Sequence, residues 1–152
     1  MINISINTQT IFEILNGLNA SIKNVIPLNQ KIDKPSLLSK PLQLQFGVLI
    51  GIVGDVTGKI VFTGERNVFS SIGESMFGMS IEGDMLSSFS GELGNMLAAG
   101  LSSRIAEHGI ATDITSPTVM EGNTTLSGFE KAFHIQVTFD NEDKLHIYLM
   151  LD

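Results

Sequence analysis

The sequence predicts an α+β fold: one domain in which an antiparallel β-sheet is covered by two long helices. Three observations carry that expectation. The 152 residues are 43% hydrophobic and 16% charged, enough apolar side chain for one packed core. The hydrophobic period changes along the chain, from helical to alternating and back. The alternating segments come as hairpins separated by helices, without regular strand–helix–strand crossovers. No linker divides residues 1–152, so a single domain is expected.

The first helix is expected from Thr8 or Thr10 to about Lys23, where Ile11, Ile14, Leu15, Leu18 and Ile22 recur at helical spacing. The polar, proline-bearing stretch 27–41 reads as a connection with room for one short strand. From Leu42 the period becomes two. Leu42, Leu44, Phe46, Val48, Ile50 and Ile52 alternate with Gln43, Gln45, Gly47, Leu49 and Gly51, a strand with one face in the core. Gly54-Asp55-Val56-Thr57-Gly58 supplies turn chemistry, and 59–63 the returning strand. A short helix over 65–77 turns Val68, Phe69, Ile72 and Met76 inward and ends at Gly78. The longest periodic segment, 84–108, is expected to be a helix with Asp84 as N-cap and Gly109 at its end. Residues 111–119 read as extended, interrupted by Pro117. Two last strands, 132–139 and 144–151, join at the turn Asp140-Asn141-Glu142-Asp143.

Composition removes several function classes. Nine basic against 16 acidic residues leave a formal charge of −7, the wrong balance for a duplex-binding domain, so no nucleic-acid partner is expected. Without cysteine there is no disulfide scaffold, thiolate nucleophile or cysteine zinc site. The N-terminus has no basic region followed by an apolar stretch and cleavage site, and the apolar run 46–53 is too short for a bilayer. A cytoplasmic protein without membrane association is the expectation. No phosphate-cradling glycine loop, HExxH or GxSxG occurs. The seven methionines read mostly as core packing. His108 closes a helix, and His134 and His146 read as opposite-phase positions of the final hairpin without a third metal ligand.

The long helix is the informative element. Leu86, Phe89, Leu93, Met96, Leu97 and Leu101 fall on one broad face. On the other side Ser88, Glu92, Asn95 and Ala99 stack along one line, with Gly91, Ala98 and Ser102 around them. Between Met85 and Ser103 only Glu92 is charged, unlike an ordinary solvated face. Gly91 and Gly94 each cost about 1 kcal/mol against alanine in a helix interior, so something must compensate. Two arrangements are open: packing against another helix of this chain, or exposure to a macromolecular partner that approaches closely. Glu92 weighs toward exposure, because a buried carboxylate would need a partner and Arg104 lies on the other face.

The run Ser88-Phe-Ser-Gly-Glu92-Leu-Gly-Asn95-Met, continuing through Asp113-Ile-Thr-Ser-Pro117-Thr-Val to Gly122, resembles the CheX branch of the CheC/CheX/FliY family. These are chemotaxis phosphatases that dephosphorylate the response regulator CheY. The family pattern is Asp or Ser, three residues, Glu, two residues, Asn, then a proline after the helix, and it matches at Ser88, Glu92, Asn95 and Pro117. The hairpin 51–62 is also similar to the family's glycine-bearing strands. Departures are small: Ala98-Ala99 stands where an Ala-Gly pair is common, and Ser116 precedes Pro117 where a second proline is frequent.

The resemblance implies an internally pseudo-symmetric CheC/CheX-like fold and a catalytic pair. Asn95 would orient the attacking water, and Glu92 would dock the regulator by pairing with a lysine near the phosphorylation site. Ser88, Gly91, Ala98 and Ala99 would form the substrate-binding surface. The chain would need no cofactor of its own, since magnesium belongs to the partner, a phosphorylated CheY-like regulator. A homodimer joined through sheet edges is also implied, the strand 42–53 and the final hairpin being apolar enough to need cover. Glu13 and Asn16 repeat the spacing in the first helix, but with Gln9 in the serine position and Asn19 and Lys23 in place of small residues. They are expected to be structural. Two rivals stand beside this reading: a non-catalytic module that binds a regulator or flagellar-switch protein, and a metal-dependent hydrolase using His134, His146 and a carboxylate.

Overall fold

Asn7 starts the first helix, its side-chain oxygen accepting a hydrogen bond from the Thr10 amide at 2.8 Å. Helix α1 (Thr8–Val25) follows, with Ile14, Leu18 and Ile22 buried at the expected spacing. The structure, a computed structural model, describes residues 7–129 and 132–152. The reading of the N-terminus as leader-free rests partly on residues 1–6, outside the described residues.

The polar connection holds two short strands where one was expected, β1 (Gln30–Ile32) and β2 (Ser36–Leu38). Then come β3 (Leu42–Gly54), β4 (Gly58–Thr63), α2 (Arg66–Phe77) and α3 (Asp84–Ala106). The second half closes with β5 (Thr112–Ile114), β6 (Thr118–Leu126), β7 (Ala132–Phe139) and β8 (Lys144–Leu151). Helix α3 differs from expectation at both ends. Its N-cap is Gly83 at φ 61°, a backbone conformation costly for any other residue, and Asp84 sits in the first turn, where a carboxylate suits the dipole. The helix ends at Ala106, and Glu107, His108 and Gly109 form the turn that follows, so His108 lies outside the helix.

All strand pairings are antiparallel. The sheet order is β1-β7-β8-β4-β3-β5, with β2 also on β7 and β6 also on β3. That order is a palindrome. One half supplies a helix, two short strands and the β3–β4 hairpin; the other supplies a helix, two edge strands and the β7–β8 hairpin. Each half's edge strands pair with the other half's hairpin, and the hairpins meet at β4 and β8. The pseudo-symmetric α+β fold is therefore present. One supporting argument for a dimer fails, because β3 and the β7–β8 hairpin are interior strands already covered within the chain.

One face of the sheet and all three helices share the main core, which includes Phe46, Val48, Ile50, Phe62, Phe69, Leu93, Leu97 and Ile147. Each such side chain contributes about 1.5–3 kcal/mol on burial. Leu42 and Leu44 do not join it as expected. They lie beyond a register shift against β6 and pack with Val61, Ala132 and Met150 in a second cluster. Helices α1 and α3 run antiparallel: Gly17 sits under Leu101 and Ile105, while the buried Ser21 hydroxyl donates to the Leu97 carbonyl at 2.8 Å. A Cβ on Gly94 would lie 2.8 Å from Val48 Cγ1, so that glycine is what lets α3 settle on β3.

Candidate functional site

Packing fixes the rotation of α3 and thereby chooses what faces out. Leu86, Phe89, Leu93, Leu97, Leu101 and Ile105 are buried, and the buried Ser90 hydroxyl donates back to the Leu86 carbonyl at 2.7 Å. The opposite line reaches the surface: Ser88 and Glu92 are exposed, Asn95 and Ala99 partly so. Residues three and four apart on a helix are neighbours, so Glu92 and Asn95 present a carboxylate and a carboxamide side by side. Among the described residues neither side chain has a hydrogen bond or ion pair within the chain.

Three of the expected placements need correction. Ala98 is only 1% exposed and Gly91 is buried, so neither offers contact surface. A Cβ on Gly91 would stand 3.7 Å from Pro117 Cγ and 3.5 Å from Val119 Cγ2, so the start of β6 lies along the helix at this point. Met96, expected in the core, is 40% exposed, because it falls between the buried stripe and the Glu92–Asn95 line. The flank is tied down: Ser87 donates to the Glu121 carboxylate, which lies 3.6 Å from Arg66, whose guanidinium sits over the Phe46 ring.

The first-helix copy of the motif has different surroundings. Glu13 accepts from the Gln9 amide at 2.8 Å and lies 3.2 Å from His108 Nε2, its side chain mostly covered. Asn16 is exposed beside it.

His134 and His146 are also corrected. The β7–β8 register sets His134 opposite Tyr148 and Gln136 opposite His146, which puts both histidines on one sheet face. Their Nε2 and Nδ1 atoms are 2.9 Å apart, and His134 stacks on Tyr148. Burial lowers both histidine pKa values, with His134 and Lys144 adding to the effect at His146, and burial raises that of Tyr148. Among the described residues, no three His, Cys, Asp or Glu side chains converge to hold a metal.

Sequence reasoning missed an apolar groove beside Glu92. Phe77, Met79, Ile81, Met85 and Phe89 line it, with Ser88 and Glu92 along one border. Its signal was present: apolar residues that keep no helical period through the glycine-bearing stretch 77–85. Met79 and Met85 are thus exposed where core packing was expected.

Known proteins resemble this chain in sequence and in fold. The sequence model of the family described as "Chemotaxis phosphatase CheX" matches residues 46–139. A relative from Thermotoga maritima, the CheY-P phosphatase CheX, is 25% identical over 142 residues, covering 90% of this chain and 91% of that one. A chemotactic CheC-like protein from Shewanella oneidensis superposes with a TM-score of 0.79 at 19% identity, covering 97% of this chain and 100% of that one. CheX from Borrelia burgdorferi, solved as a CheX–CheY–BeF3–Mg complex, gives a TM-score of 0.77 at 18% identity over 93% of this chain and 96% of that one. No described helix is long and apolar enough to cross a membrane.

Proposed function

Because this chain belongs to the CheX family of chemotaxis phosphatases, we propose that it dephosphorylates the phosphoaspartate of a CheY-like response regulator and so ends the signal. The observation that carries this reading is the Glu92–Asn95 pair, exposed and part-exposed respectively, one helical turn apart on a helix whose other side is locked into the core. The names of two relatives support it: one is a CheY-P phosphatase, another was solved with CheY, beryllofluoride and magnesium.

Hydrolysis of an aspartyl phosphate needs water in line with the bond to be broken. The water oxygen bonds to phosphorus, the phosphorus–oxygen bond to the aspartyl carboxylate breaks, and the water proton leaves with inorganic phosphate or solvent. The regulator's own magnesium and cationic side chains neutralise charge in that transition state. What this chain adds is position. The Asn95 carboxamide oxygen accepts a hydrogen bond from the water and aims its lone pair at phosphorus. A carboxamide does not ionise, so it orients water without acting as a base. Holding a nucleophile in attack geometry can be worth several kcal/mol. Glu92, beside it, pairs with a regulator lysine and sets the depth of docking. Ser88 and Ala99 keep the approach smooth, while Gly91 and Ala98 lie buried beneath the line.

A homodimer belongs to the same reading. Among the described residues strand β6 pairs only with β3, which leaves its outer edge available to a second copy. The chain itself carries no metal in this scheme.

The test is decay of the phosphorylated regulator, with magnesium, with and without this protein. Acceleration that disappears in Asn95→Ala supports the phosphatase. Binding without acceleration replaces it with a docking module.

A further inference from the structure

Seven large apolar side chains stand out as exposed among the described residues, and they are not evenly spread. Phe77, Met79 and Met85, 54–60% exposed, share one groove, and Met96 lies one turn beyond Glu92 on the same helix. The groove encloses about 460 Å³ between the end of α2, the loop after it and the first turns of α3. Ile81 and Phe89 are buried and form its floor. Phe77 meets Phe89 edge to face, ring centres 5.8 Å apart, so one wall is already in place. Gly78 and Gly83, both at positive φ, bracket the loop that carries Met79 and Ile81. Clustering of exposed apolar side chains is a feature of binding surfaces.

The rim is acidic. Glu74, Glu82, Asp84 and Glu92 are all exposed, and no lysine or arginine occurs between Arg66 and Arg104. We infer that this groove seats an apolar side chain of the response regulator, one flanked by basic residues, as the regulator docks on the Ser88–Glu92–Asn95 line. The inference rests on the functional reading above and extends it to the feature that selects the partner. Two observations point to this occupant. Ser88 and Glu92 belong both to the docking line and to the border of the groove, so a regulator reaching Asn95 passes directly over it. A second copy of this chain, with its net charge of −7, would meet Glu92 and the acidic segments around it with like charge, whereas a basic-flanked knob complements them. Asn95 then governs the chemical step and the groove governs affinity. Methionine walls suit that task, since an unbranched thioether adjusts to the shape it receives.

The test uses the full chain and a CheY-like regulator from the same organism, held in its active form by beryllofluoride and magnesium for binding and phosphorylated for decay. Met79→Asp and Met85→Asp are expected to weaken binding about tenfold and raise KM in proportion, with kcat at saturation kept within about twofold. Asn95→Ala gives the opposite split. Met85→Leu restores the wild-type KM, which separates loss of the apolar contact from loss of folding. Glu82→Lys weakens binding at low salt, and the difference shrinks as salt rises. Active wild type with unchanged KM in both aspartate variants overturns the groove and leaves the phosphatase standing. Aspartate variants that lose self-association in light scattering but still bind the regulator assign the groove to a second copy, which also overturns it. If wild type binds no regulator, the functional reading fails and this one falls with it.

Discussion

Glu13-x-x-Asn16 and Glu92-x-x-Asn95 have the same spacing and lie on the paired helices of a two-fold repeated fold, yet their surroundings differ. In the first copy Gln9 donates to the carboxylate and His108 approaches it from the end of α3. In the second, serine stands where Gln9 was, and no described basic side chain reaches Glu92. The residues after the asparagine differ too: Gly17 is buried beneath Leu101, whereas Met96 faces outward. A carboxylate already engaged inside the fold has little left to offer a partner. Spacing alone therefore does not leave a carboxylate free for a partner; what stands next to the motif decides it.

That contrast can be broken experimentally. The largest effect is expected for Asn95→Ala, which should slow regulator dephosphorylation about a hundredfold in single-turnover decay assays. Asn16→Ala should stay within about twofold of wild type, as exposed substitutions usually do. Equal losses would make both copies working sites. The glycines sharpen the comparison at the level of packing. Gly94→Ala drives a methyl group into Val48 and should destabilise the fold by about 1–3 kcal/mol in urea titrations. Gly91→Ala meets Pro117 and Val119 only at ordinary contact distance and should stabilise the helix by up to about 1 kcal/mol. Glu92→Ala is expected to raise KM about tenfold while sparing kcat. Glu13→Ala should leave both constants alone and lower stability by less than about 1 kcal/mol, a shift to be read in thermal melts.

The smallest effect is one of pH. Burial lowers the pKa of His134 and His146 in the folded protein below the ordinary value of 6.5. Between the folded and unfolded values the unfolded chain binds more protons, so stability falls as pH drops from about 7 through that window and then levels off. Replacing both histidines by glutamine should flatten this part of a plot of melting temperature against pH. Kinetics at Asn95 should not follow it.

Much of this was legible beforehand, and the failures have a common cause. The line Ser88–Glu92–Asn95–Ala99 could be read because a helix converts sequence spacing directly into a face, and because a surface with one charge in nineteen positions, from Met85 to Ser103, is conspicuous. The long strand and both hairpins followed from strict alternation. What escaped depends on partners distant in sequence. Residues 118–126 alternate poorly, since β6 is an edge strand exposed along much of its length, and only its pairing with β3 makes it a strand. The histidine pair needed the hairpin register, which sets Gln136 opposite His146 and so returns His134 to the same face. Gly91 and Ala98 lie beside the exposed line on a helical wheel, but the wheel does not show Pro117 closing over one of them. Burial is decided by what arrives from elsewhere in the chain.

The palindromic sheet has a consequence for how the molecule is made. Gln30 must find Phe139, and Leu42 must find Leu126, before either hairpin is fully flanked. As the chain emerges during synthesis, the first half therefore waits with unpaired strand edges, and its helix has no α3 to lie against. Long-range pairings of this kind slow folding and prolong the interval in which bare edges can meet those of another nascent chain. Helix α3 is seated on β3 and against α1, both from the first half, yet the β6 edge that closes beside it is made later. On the function proposed above, a regulator would thus meet no half-built site, because the surface around Glu92 and Asn95 is complete only when both halves have clasped.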